Sequence, residues 1–60
     1  MATFQIYLDK SREYRWRLRA TNSEIVADSA EGYKDKRDCL RGIEIVKTQS
    51  PGAGTEDLTG

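Results

Sequence analysis

The chain has 60 residues, ten basic and ten acidic side chains, one cysteine and no histidine. A domain of this length buries only about 60% of the surface that its unfolded form exposes, and the composition excludes an internal disulfide or a histidine-containing zinc site as added support. Residues 1–48 hold all ten Lys and Arg and eight of the ten acids, a net +2, far from the strongly basic balance of a dedicated nucleic-acid binder.

Phe4, Ile6 and Leu8 alternate with Gln5 and Tyr7 through residues 3–8, the period of a strand with one apolar face. After the loop Asp9-Lys10-Ser11-Arg12-Glu13 comes the clearest pattern in the chain, Tyr14-Arg15-Trp16-Arg17-Leu18-Arg19-Ala20. Tyr14, Trp16, Leu18 and Ala20 share one side of this second strand, and Arg15, Arg17 and Arg19 the other. Placing Leu8 opposite Tyr14 sets Ile6 against Trp16 and Phe4 against Leu18, so each inward residue meets an apolar partner. The same register puts Tyr7 opposite Arg15 and Gln5 opposite Arg17. A two-residue turn at Asn22-Ser23 is expected next, since Asn tolerates positive φ. Pairing Thr21 with Glu24 then sets Ala20 opposite Ile25 and Leu18 opposite Ala27 inside, with Arg19 opposite Val26 and Arg17 opposite Asp28 outside.

Past Ala30-Glu31-Gly32-Tyr33, where Gly32 is expected to permit a chain reversal, the period lengthens to that of a helix. Asp35 is the expected N-cap, with Asp38 completing a weakened capping box. Cys39, Leu40, Ile43 and Val46 form the stripe that should close over the sheet. Gly42 lowers helix propensity by about 1 kcal/mol relative to Ala, which points to a close backbone or aromatic contact at that position. Ile45 lies off the stripe and suggests a subunit contact. From Gln49 the chain is rich in Gly with one Pro and lacks periodicity. The expected fold is therefore α+β: a three-stranded antiparallel meander and one C-terminal helix in a domain of residues 1–48, with a flexible tail at 49–60. Its expected core is Phe4, Ile6, Leu8, Tyr14, Trp16, Leu18, Ile25, Ala27, Cys39, Leu40, Ile43 and Val46. With disulfide and metal excluded, self-association is the natural way to complete so small a core.

Arg15, Arg17 and Arg19, with Tyr7 beside them, have the residue types of a phosphate-backbone groove, in which guanidinium forks contact phosphate and tyrosine offers a stacking surface. The plainer alternative is a solvated sheet face laced by Gln5, Glu24 and Asp28. Trp16 and Tyr14 are large enough to line a ligand pocket, although inward aromatics in small domains ordinarily form the core. Cys39, near a helix N-terminus, is the candidate nucleophile, but it lies on the apolar stripe and no histidine exists to serve as its base. Glu31 and Tyr33 flank the Gly32 turn, where they would meet a partner or pack at the start of the helix. No glycine-rich phosphate loop is present, and neither enzyme activity nor a cofactor is expected. No apolar run approaches a membrane span, and no basic segment followed by an apolar one opens the chain, so a cytoplasmic protein is expected, in keeping with an unpaired cysteine.

The segments Phe4-Gln5-Ile6-Tyr7, Glu13-Tyr14-Arg15-Trp16-Arg17-Leu18, Asn22-Ser23-Glu24-Ile25-Val26-Ala27, Glu31-Gly32-Tyr33-Lys34 and Cys39-Leu40-Arg41-Gly42-Ile43 closely resemble the YegP-like family, a group of small bacterial and archaeal proteins defined as a domain of unknown function. The resemblance spans roughly residues 3–48 and departs at Ser23, where the family pattern commonly has Gly. It implies a sheet-plus-helix module that in many relatives occurs twice in one chain, so that a single-copy chain would pair as a homodimer. It brings no catalytic residues. The expected role is that of a homodimeric binding module, with weak nucleic-acid binding through Arg15, Arg17 and Arg19 as the alternative.

Overall fold

The alternating segments become strands, and the computed structural model, which describes all 60 residues, places β1 at Thr3–Leu8, β2 at Tyr14–Arg19 and, over the non-alternating Ile25-Val26-Ala27-Asp28, β3 at Ile25–Asp28. The helix α1 follows at Lys36–Gln49, and a single 3-10 turn at Ser50–Gly52 carries the chain past its end. The sheet is antiparallel in the order β1-β2-β3, which is the expected α+β meander with a C-terminal helix. The β1–β2 register is the expected one throughout, from Phe4↔Leu18 through Ile6↔Trp16 to Leu8↔Tyr14.

Both hairpins close over three-residue loops of the same design. In the first, the Asp9 N–H donates to the Glu13 carbonyl and the Arg12 N–H to the Asp9 carbonyl, each at 3.0 Å; in the second, the Ala20 N–H donates to Glu24 at 2.8 Å and the Ser23 N–H to Ala20 at 2.9 Å. Such a loop ends on a residue in the left-handed region, and Arg12 (φ 62°) and Ser23 (φ 71°) take that position. The expected two-residue Asn22-Ser23 turn is therefore corrected: Ser23, not Asn22, has positive φ, and Ala20 pairs with Glu24 in place of Thr21. Asn22 contributes through its side chain, whose Oδ1 accepts the Glu24 N–H at 3.2 Å.

The longer loop also shifts the pairing of the third strand. Arg19 pairs with Ile25 while Leu18 pairs with Ala27, so β3 carries one extra residue at Val26, a β-bulge. Neither Ala20↔Ile25 nor Arg19↔Val26 forms, whereas Leu18↔Ala27 and Arg17↔Asp28 stand as expected. Opposite Arg19, Ile25 belongs to the arginine face, and it is 51% exposed with Val26 at 58%.

The helix starts as expected at the N-cap Asp35, whose Oδ1 accepts the Arg37 N–H at 2.9 Å. Asp38 lies in the first turn, where its charge suits the helix dipole, but its carboxylate makes no return bond to the cap. The helix packs chiefly on β2. Trp16, Cys39 and Ile43 form the buried centre, with Phe4, Ile6, Tyr14, Leu18, Tyr33 and Val46 packed against it partly buried. The Phe4 and Trp16 rings meet edge to face, 5.6 Å between centroids. Four residues expected in the core lie outside it: Leu8, Ile25, Ala27 and Leu40 are all exposed. A helix about 10 Å across, seated along the middle strand, leaves the far end of β1 and all of β3 uncovered.

Two residues between β3 and α1, Ser29 and Tyr33, tie the chain back onto β2. Ser29, buried, donates its N–H to the Trp16 carbonyl at 2.8 Å and accepts the Trp16 N–H on its Oγ at 3.1 Å. Tyr33 exchanges both backbone bonds with Tyr14, at 2.7 and 2.8 Å. Between them Gly32 crosses Glu13 so closely that a Cβ there would lie 2.8 Å from the Glu13 Cβ. Gly32 is thus required by this close approach, and its φ is not positive.

Candidate binding surfaces

The outer face of the sheet carries the three arginines in a row, and each is engaged from within the chain. Gln5, opposite Arg17, offers one Oε1 that accepts from the Nε of both Arg17 and Arg19 at 2.9 Å. The Arg17 guanidinium also lies over the Tyr7 ring, 4.9 Å from its centroid, a cation–π contact. The Arg19 Nη1 donates to the Ser23 carbonyl at 2.6 Å, closing the second hairpin from outside. Arg15 reaches past the strand to Asp9, donating its Nε to Oδ2 at 2.6 Å. The structure thus gathers Tyr7, Arg15, Arg17 and Arg19 on one face as expected, but laced differently: Gln5 and Asp9 hold the arginines, and neither Glu24 nor Asp28 makes an ion pair with them.

Asp9 escaped the sequence reasoning because it sits in a loop, where alternation says nothing about direction. Its Oδ1 accepts the N–H of Ser11 at 2.8 Å and of Glu13 at 3.0 Å, an Asx turn that the short polar side chain is suited to make. The hydrogen bond from Arg15 first, and that from the Glu13 amide second, hold its carboxyl below the usual carboxylate range.

On the inner face, Gly42 is where the helix touches the aromatics. A Cβ at that position would lie 3.2 Å from the Tyr33 hydroxyl and 3.3 Å from the Trp16 Nε1, the close aromatic contact expected from a glycine inside the helix. Trp16 is therefore core, 7% exposed. Cys39 is wholly enclosed, and burial pushes its thiol pKa up, the reverse of what a nucleophile requires.

Between α1 and β1 the inner face stays open. Phe4, Ile6, Tyr7, Leu8, Tyr14 and Lys36 line a groove of about 470 Å³. Lys36 and Lys47 flank this side of the helix, Lys47 with its Nζ 5.8 Å from the Phe4 ring centroid. Leu40, one turn beyond Lys36, is 44% exposed on the same side. A smaller recess of about 270 Å³ lies on the helix's other flank, among Tyr33, Asp38, Arg41, Gly42 and Ile45. No helix is long and apolar enough to cross a membrane.

The family model described as "Domain of unknown function (DUF1508)" matches residues 9–57. Among relatives, a UPF0339 protein of Methanosarcina acetivorans is 47% identical over 53 residues, covering 88% of this chain and 90% of its own. A UPF0339 protein encoded in the 5′ region of the ptx operon of Stutzerimonas stutzeri is 53% identical over 49 residues, 82% of this chain but only 43% of that relative. A solution NMR structure from Haloferax volcanii superposes with a TM-score of 0.86 at 43% identity over 93% of each chain. That of the Agrobacterium tumefaciens protein ATU0232 gives 0.80 at 49% identity, over 98% of this chain and 94% of the other.

Proposed function

The chain belongs to the UPF0339 (DUF1508) family, which has no established activity, and within it we propose that this member is a binding module that acts as a self-associated pair and not as an enzyme. One observation carries the proposal. The inner face of the sheet, which should be the sealed side of the molecule, is open along β1, where Leu8 is 53% exposed beside a groove walled by Phe4, Ile6 and Tyr14. Apolar surface in that position gains free energy when another surface covers it, at about 25 cal/mol per Å².

The longer Stutzerimonas relative supports the same reading, because the matched segment leaves more than half of that protein outside it, room for a second unit of this size. Against catalysis stand a buried Cys39 with a raised pKa, acids at Asp35 and Asp38 that serve the helix start, and no histidine. The arginine face lends no separate support to nucleic-acid binding, since the Nε of Arg15, Arg17 and Arg19 are all engaged within the chain, by Asp9 and Gln5. A single free thiol fits a reducing compartment, and we place the pair in the cytoplasm.

Light scattering over a range of concentrations tests the proposal. The expected mass is twice 6.8 kDa, falling toward the single-chain value on dilution. A mass of one chain at every concentration would refute it.

A further inference from the structure

We propose that the recess on the helix flank away from β1 binds a small zwitterion, a free α-amino acid with an apolar side chain, among Tyr33, Asp38, Arg41 and Ile45 over the bare backbone of Gly42. The proposal deepens the reading of the chain as a binding module and is independent of its pairing.

A buried donor marks the place. Trp16 is 7% exposed, and its Nε1 is the one buried side-chain polar atom in the chain without a hydrogen-bond partner. An enclosed indole N–H ordinarily finds an acceptor, and an orphan calls for a reason. Gly42 shows where this one faces. The point at which a Cβ would stand at Gly42 is 3.3 Å from Nε1 and 3.2 Å from the Tyr33 hydroxyl oxygen. Tyr33 and Gly42 in turn both wall the recess of about 270 Å³. Tyr33 thus belongs to both surroundings, and its hydroxyl is the route from the buried indole to the opening. A side chain at Gly42 would press on that hydroxyl, so the glycine leaves it free to turn.

The rim supplies the rest of the chemistry. Asp38, Arg41, Gly42 and Ile45 stand at i, i+3, i+4 and i+7 along α1, a stripe about 10 Å long. The ion pairs of the chain are Arg15–Asp9, Arg37–Asp35 and Lys47–Glu44, which leaves Arg41 and Asp38 unpaired although they wall one recess. A ligand carboxylate seated over Gly42 accepts from the Arg41 guanidinium and from the Tyr33 hydroxyl. As the phenol turns its proton outward, its oxygen accepts the Trp16 N–H, and the two bonds reinforce each other. The ligand's ammonium donates to Asp38, one turn nearer the helix start, and its apolar side chain lies on Ile45, which is 48% exposed. A simple anion would set its charge against Asp38, and a simple amine would set its charge against Arg41; a zwitterion answers both. The recess is below the roughly 300–1,000 Å³ of drug-sized sites, which limits the ligand to a small one.

Trp16 is the only tryptophan, so its indole N–H gives a single resonance in a nitrogen-resolved NMR spectrum. Titration with leucine at millimolar concentration is expected to move that resonance downfield and to saturate. Isocaproate, which is leucine without its amino group, and isoamylamine, which is leucine without its carboxylate, should bind about tenfold or more weakly. Tyr33→Phe keeps the ring and should abolish the shift. Arg41→Gln, at an exposed residue without an ion pair, should weaken leucine by about tenfold or more. An indole resonance that leucine leaves unmoved would overturn the site, and isocaproate binding as well as leucine would overturn the zwitterion. Unchanged affinity in Arg41→Gln would overturn the seat assigned to the carboxylate. A dimer by light scattering that ignores leucine would overturn this site alone and leave the pairing standing.

Discussion

A hydroxyl takes the place of a carbonyl where Ser29 Oγ accepts the Trp16 N–H, and this matters because the bond is buried. Removing the hydroxyl leaves a main-chain donor with no water to turn to. Ser29→Ala is expected to cost about 1–3 kcal/mol, read as a fall in the thermal midpoint of roughly 4–8 °C per kcal/mol for a domain of this size. An unchanged midpoint would mean that water reaches the Trp16 amide. Nothing in the order of residues marks Ser29 for this task. Gly42 is the contrary case, because a residue that weakens its own helix needs a reason, and the Trp16 and Tyr33 rings supply one.

The hairpin loops are governed by one residue each in left-handed backbone, and the second holds Ser23 there. That region costs an ordinary residue roughly 1–2 kcal/mol, against roughly 0.5–1 kcal/mol for the greater freedom of glycine in the unfolded chain. Ser23→Gly is therefore expected to stabilise by about 0.5 kcal/mol, raising the thermal midpoint by roughly 2–4 °C; the Arg19 contact is to the Ser23 carbonyl and survives. A lowered midpoint would contradict the strain. In the first hairpin, Asp9 has a folded-state pKa below its unfolded value. Its contribution is thus complete above the ordinary carboxylate range and is lost as the pH falls through the lowered folded value. Acid titration of Asp9→Asn should lack the part of the acid-induced loss of stability that the parent shows below about pH 4. Identical acid profiles for the two proteins would remove Asp9 from that role.

For the whole molecule, the sequence was most legible where two patterns checked each other. Phe4, Ile6 and Leu8 had only one register in which all three met Tyr14, Trp16 and Leu18, and that register is the one formed. Legibility failed where length decided direction, since one additional loop residue moved Ile25 from the core face to the arginine face. It failed again where coverage depended on width. Leu8, Ala27 and Leu40 are apolar at inward or marginal positions, but a single helix does not span three strands. The candidate arginine face was legible in part: alternation collected Tyr7, Arg15, Arg17 and Arg19, while Asp9 depended on a turn whose shape only the folded loop reveals.

The bulge at Val26 limits how far such a sheet is able to grow. A flat strand edge on each side would let every added copy present a fresh template, the arithmetic of a filament. Here the bulge leaves β3 kinked on one side, and only β1 on the other keeps an uninterrupted register with its neighbour. The extra residue that restores Leu18↔Ala27 after the longer loop thus also blunts one of the two edges against strand-by-strand growth into fibres.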